Sequence, residues 1–170
     1  LHFGIMERRR IGQTFLDWPE EQTFLTPSFT GNGFGATDLN AVHFETSPAF
    51  GLGVDYPTGA QYASYLRGVV GHFSLPVLDG AEVTAVTRVD EGFRVESPRG
   101  PVTAHSLVWA GGEFADPRPP KIAGAAFADP AGSKAAWEPR AGYVVVIGGY
   151  ESGVDIAYHH VIAGACVTVV

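Results

Sequence analysis

The apolar positions of this chain change period several times, and each change marks an element. From residue 59 to about 73, Tyr62, Tyr65, Leu66, Val69, Val70 and Phe73 recur at three- and four-residue spacing, which predicts one amphipathic helix. Thr58 precedes it and suits an N-cap. Leu75-Pro76-Val77 then leads into a strand, and residues 3–6 read as the end of another. Residues 81–89, 92–97 and 102–110 read as a three-stranded meander, with Pro98-Arg99-Gly100 as a turn. Within it Phe93 and Val95 alternate with Arg94 and Glu96, whereas Leu107-Val108-Trp109-Ala110 is a continuous apolar run expected to be buried.

The last stretch carries the clearest pattern. Val144-Val145-Val146-Ile147 reads as a short buried strand, followed by Gly148-Gly149-Tyr150-Glu151-Ser152-Gly153. A helix should come next, burying Val154, Ala157, Tyr158, Val161 and Ile162 on one face and ending at Gly164; residues 166–170 form a second strand. Strand, glycine turn, helix and strand make a βαβ unit. Its helix N-terminus offers unpaired backbone N–H groups to an anion such as a dinucleotide pyrophosphate. Gly148 and Gly153 fill the outer positions of G-x-G-x-x-G, while Tyr150 stands where the middle glycine is usual. The same glycines also suit plain strand–helix packing. A nucleophile elbow is excluded by spacing, because Ser152 lies directly beside Gly153.

Between these patterns, residues 11–58 hold aromatics, glycines, prolines and amides without a sustained period, and read as mostly irregular, functional loop. Residues 116–140, rich in Pro, Ala and Gly, read as a connection. Charge narrows the partners: a formal net charge of −7, with no basic stripe, argues against nucleic acid. No apolar run approaches the roughly 20 residues of a membrane helix. The single cysteine, Cys166, suits a reducing cytoplasm and is expected to be inert in a core strand. His159 and His160 are adjacent on the last helix, about 100° apart, so no metal site is expected. The chain opens on Leu1 and closes on an apolar strand, and is expected to be an internal piece of a longer protein.

Five segments, in order, resemble the flavoproteins that carry two dinucleotide-binding domains: flavin-containing and Baeyer–Villiger monooxygenases, thioredoxin reductases and bacillithiol disulfide reductase-like proteins of the pyridine nucleotide-disulfide oxidoreductases. Ile11-Gly12-Gln13-Thr14-Phe15 resembles the monooxygenases' G-G-x-W stretch, and Gly35-Ala36-Thr37-Asp38 their G-x-x-x-D segment. Tyr65-Leu66 through His72-Phe73-Ser74-Leu75 resembles their Y-L-x-x-x-A-x-x-F-x-L helix. Trp109-Ala110-Gly111-Gly112 with Pro117 resembles the A-T-G-x-x-x-x-P motif, Gly111 replacing the usual threonine. The turn from Gly148 to Gly153 resembles G-G-G-D-S-A.

The resemblance implies an α/β fold: part of an FAD-binding Rossmann-like domain with a β-meander, running into the first βαβ unit of an NAD(P)-binding Rossmann domain. Its implied spans are 1–115 for the FAD side, lacking its first βα unit, 116–141 for the connection, and 142–170 for the NAD(P)H side. It implies an FAD-dependent oxidoreductase that accepts hydride from NAD(P)H. Glu7 would hold the adenosine ribose, with Gly12, Gln13 and Thr14 along the flavin or pyrophosphate. Val83 would contact adenine through its backbone, and Ala110 and Gly111 would pass the pyrophosphate. Gly148, Gly149, Tyr150, Glu151, Ser152 and Gly153 would take NAD(P)H, and Asp38 is the acid expected near the flavin. Residues 113–147 hold no cysteine, which excludes a C-x-x-C redox pair in that interval. Electrons would pass to O₂ as in a monooxygenase, or to a low-molecular-weight thiol disulfide; a non-catalytic nucleotide-binding member is the third reading. The expected partner is a small-molecule substrate or O₂, and a homo-oligomer is left open.

Overall fold

The computed structural model describes residues 2–29, 38–112 and 117–170. Among the described residues there are three small sheets. In the first, β1 (Ile5–Glu7) pairs in parallel with β2 (Val77–Asp79), Glu7 opposite Asp79. The second is an antiparallel meander of β3 (Ala85–Val89), β4 (Gly92–Glu96) and β5 (Val102–Ala104). The third pairs β6 (Tyr143–Val146) in parallel with β7 (Cys166–Val169), Val146 opposite Val169. Among the described residues no helix is long and apolar enough to cross a membrane.

Between β1 and β2 lie α1 (Gln13–Leu16), α2 (Pro48–Leu52) and α3 (Gly59–His72). The long helix α3 forms where the apolar stripe predicts it and starts at a capping box. The Thr58 hydroxyl accepts from the Gln61 amide at 3.3 Å, and the Gln61 side chain accepts from the Thr58 amide at 2.9 Å. Tyr62, Tyr65 and Val69 are buried, with Phe15, Phe24, Leu52, Leu66 and Phe73 packed against them. Gly12 lets α1 approach: a Cβ there would sit 2.7 Å from the Ala63 Cβ, on a backbone with φ of +81°. The Tyr62 phenol donates to the Asn40 carbonyl at 2.8 Å. Burial, reinforced by Tyr65 and Asp38, pushes it up to about 12.

Five sequence expectations need correction. The strand expected at residues 81–89 begins only at Ala85, because the preceding segment bridges two sheets. The Ala81 amide donates to the Glu7 carbonyl at 2.9 Å, while the Thr84 amide donates to that of Glu96 at 2.9 Å. The run expected to be buried at the end of 102–110 is open: β5 stops at Ala104, and Val108 and Trp109 are 88% and 71% exposed. No strand flanks this run among the described residues, so nothing covers it. In β6 only Val146 is buried, since α4 (Glu151–Ile162) covers one face of a two-stranded sheet and alternate side chains face out. Cys166, expected in the core, is exposed.

A fifth correction concerns the face of α4. Val154, Tyr158, Val161 and Ile162 point outward, and the buried face is Ile156, Ala157 and His160. The reason is Trp137, 2% exposed, which with Ala136 packs against Val146, Ile156 and Ala157. Its indole N–H donates to the Ala131 carbonyl at 2.8 Å. The His160 Nε2, which lies 2.9 Å from the Ala136 carbonyl, ties α4 to the same segment. Residues 136 and 137, expected in a connection, thus form the core beside β6 and α4.

Candidate functional site

The β6–α4 turn brings its glycines into one compact loop. Gly148 has φ of +103°, a conformation that a side chain would oppose, and its amide donates to the Val170 carbonyl at 2.7 Å. Gly153, in the first turn of α4, packs directly on this loop. A Cβ there would be built into the Gly148 carbonyl oxygen, with the carbonyl carbon 3.0 Å away. Tyr150 is the N-cap in extended conformation, φ −92° and ψ −173°, so the middle position does not demand glycine here. Its carbonyl accepts from the Val154 amide at 2.9 Å, and its side chain is 83% exposed.

No side chain caps the N-terminus of α4. Its first-turn amides therefore remain available to an anion, aided by the helix dipole. Beside them an open groove of about 430 Å³ is lined by Gly149, Tyr150, Glu151, Val154, Asp155 and Tyr158, with Leu25 from the loop after α1. Burial raises the Asp155 carboxyl above its ordinary value, and His159 one turn on draws it partly back. Close-packed glycines and an uncapped helix end fit a dinucleotide pyrophosphate. Leu25 and Tyr158 carried no sequence signal for this groove: one lies in aperiodic loop, the other on a stripe that reads as core.

Glu7 and Val83 are connected through Ala81, which the Glu7 backbone holds two residues before Val83. Glu7 ends β1, and its Oε1 accepts from the Arg9 amide at 3.0 Å. A carboxylate has further lone pairs for a ribose diol. The free lone pairs of the Glu7 carboxylate fit the hydroxyl donors of a ribose at the adenosine end of a dinucleotide.

The other expected site residues make contacts of their own. Gly12 packs on Ala63, as described. The Gln13 side chain accepts from Arg10 Nε at 3.1 Å and donates to Asp17 at 2.9 Å, beside an Arg9–Asp17 ion pair. Thr14, Ala110 and Gly111 are exposed, and the Trp109 indole lies against Gly111. Among the described residues no group of three or more His, Cys, Asp or Glu could hold a metal ion.

Asp38 is 1% exposed, while Gly35, Ala36 and Thr37 of its motif lie outside the described residues. Its Oδ1 accepts from the Asn40 amide at 2.9 Å; its Oδ2 accepts from the Ser47 hydroxyl at 2.9 Å and the Ala49 amide at 3.0 Å. Three donors on a buried carboxylate describe a group that pins the 38–49 loop onto α2. Ser47, which also caps α2 by accepting from the Phe50 amide, is the partner that sequence did not reveal. We expect Asp38→Asn to destabilise the protein by about 1.5–3 kcal/mol, because one amide hydrogen pair must face a donor. Urea unfolding measures this, and unchanged stability would remove the pinning role.

Compared with known proteins, residues 1–170 match the family model described as pyridine nucleotide-disulphide oxidoreductase. Among solved structures, the chain is similar to the bacillithiol disulfide reductase Bdr of Staphylococcus aureus, with TM-score 0.66 and 22% identity, over 98% of this chain and 48% of that one. Bdr of Bacillus cereus gives 0.58 and 24%, over 98% and 49%. A flavin-containing monooxygenase of Stenotrophomonas maltophilia gives 0.58 and 18%, over 98% and 56%. At these identities the likeness is one of fold, and the chain spans about half the length of each.

Proposed function

The chain belongs to the pyridine nucleotide-disulphide oxidoreductase family, and from that premise we propose that it is part of an FAD-dependent oxidoreductase accepting hydride from NAD(P)H, with monooxygenase-like use of O₂. The observation that carries this reading is the turn in which Gly153 packs on the Gly148 carbonyl below an uncapped α4 N-terminus. In this reading residues 1–115 serve the flavin side, 142–170 the nicotinamide side, and 116–141 connect them.

The chain's own residues then divide the work. The amides of Glu151, Ser152 and Gly153 hold the nicotinamide dinucleotide's pyrophosphate. Glu7 accepts from the FAD ribose hydroxyls, and the backbone at Val83 orients adenine. Leu25, Val154 and Tyr158 exclude water along the groove. When bound, the flavin supplies the two-electron acceptor for hydride, and the protein supplies positioning and electrostatics. A second reading, reduction of a low-molecular-weight thiol disulfide, draws support from the family's own description.

The test is anaerobic mixing of the full-length protein with NADH or NADPH, following the flavin absorbance. Bleaching is expected; reoxidation by O₂ with substrate oxygenation supports the first reading, and reoxidation only by a disulfide the second. A protein without flavin, or a flavin that nicotinamide cannot bleach, refutes both. Glu7→Gln is expected to weaken FAD binding about tenfold, through loss of a charge-assisted hydrogen bond. Titration of apoprotein measures it, and wild-type affinity in the variant would remove Glu7 from the site.

A further inference from the structure

Arg99 sits in the turn between β4 and β5, a position that reads as a plain solvated hairpin tip. Its guanidinium reaches 20 residues back along the chain: Nη2 and Nε donate to the Asp79 carbonyl at 3.1 and 3.3 Å. The turn beneath it is held firmly, the Arg99 amide donating to the Ser97 hydroxyl at 3.2 Å and the Gly100 amide to the Ser97 carbonyl at 3.0 Å. Asp79 ends β2 directly opposite Glu7. Immediately after it runs the bridge that contains Val83. The Gly80 amide bonds the Arg9 carbonyl at 3.1 Å and the Ala81 amide that of Glu7, while at the far end Thr84 bonds Glu96 of β4. The separation of the Glu7 carboxylate from the Val83 backbone thus depends on how the meander is held against the parallel pair.

We infer that Arg99 is a positioning residue for the adenosine end of the dinucleotide site, clamping the meander turn onto the end of β2 so that Glu7 and the Val83 backbone face one ligand. The inference rests on the proposed flavin reading. Arginine suits the task because its planar fork places two donors on one carbonyl, whereas a lysine ammonium offers a single point contact.

The experiment titrates the full-length apoprotein with FAD, and separately with ADP as a probe of the adenosine end, in wild type, Arg99→Ala and Arg99→Lys. Both dissociation constants are expected to rise together, by about fivefold in Arg99→Ala and less in Arg99→Lys, with the melting temperature of the apoprotein unchanged. Unchanged FAD affinity overturns the assignment, as does weaker FAD with unchanged ADP, which would place the effect elsewhere on the cofactor. A fall in apoprotein melting temperature that accounts for both losses makes Arg99 a structural tether only, and also overturns it. A wild-type protein that takes up no FAD refutes the flavin reading itself, an outcome distinct from variants that match a flavin-binding wild type.

Discussion

Trp137→Ala is expected to destabilise the β6–α4–β7 unit by about 3–5 kcal/mol, the usual cost of truncating a buried aromatic. The magnitude follows from how little else fills that core. Trp137 is 2% exposed, and its companions Ala136, Val146, Ile156 and Ala157 are small or of middle size. The loss would also strip the Ala131 carbonyl of its indole donor. Trp137→Phe keeps most of the apolar contact and is expected to cost only about 1–2 kcal/mol. Calorimetry of the full-length protein, resolving the transition of this unit, reads both values. A Trp137→Ala protein within 1 kcal/mol of wild type, on the order of a surface change, would show that the unit does not depend on this plug.

The second large effect is expected at Gly153, where two physical rules give opposite signs. Helix propensity alone favours alanine over glycine by up to about 1 kcal/mol. Contact opposes it, since the new Cβ would be built into the Gly148 carbonyl oxygen with backbone on both sides. Overpacking of this kind costs about 1–3 kcal/mol, so a net destabilisation of about 2 kcal/mol is expected for Gly153→Ala. If the chain acts as proposed, separation of turn and helix should also slow flavin reduction by NAD(P)H by about tenfold or more, because the helix-end amides shift with it. Gly149→Ala is the internal comparison: its Cβ would meet only the Val169 side chain, at 3.6 Å, an ordinary contact. A Gly153→Ala variant more stable than wild type would show that the turn is looser than its geometry.

Legibility differed from site to site for identifiable reasons. The glycine turn was readable because the positive φ at Gly148 opposes a side chain and the contact at Gly153 leaves no room for one, demands that appear directly as residue identity. Glu7 was readable as the acid at a strand exit. Asp38 was visible as a candidate, but its three donors come from Asn40, Ser47 and Ala49, and their convergence is a property of the folded loop. Arg99 was invisible, since its acceptor is a backbone carbonyl, which any residue at position 79 could present.

The sequence by itself determined α3 and its N-cap Thr58, the order of strand, turn, helix and strand at residues 143–169, and the turn at Pro98-Arg99-Gly100. These rest on local period, cap chemistry and glycine, all of which act within a few residues. Only the tertiary structure decided which face of α4 is buried. That helix has apolar residues on two sides, and its own periodicity cannot rank them; Trp137, arriving from before β6, chooses Ile156 and His160 over Val154 and Tyr158. The apolar run 107–110 teaches the same lesson in reverse. Hydrophobicity states a preference for cover, but burial also requires a neighbouring element, and that is settled by packing across the fold.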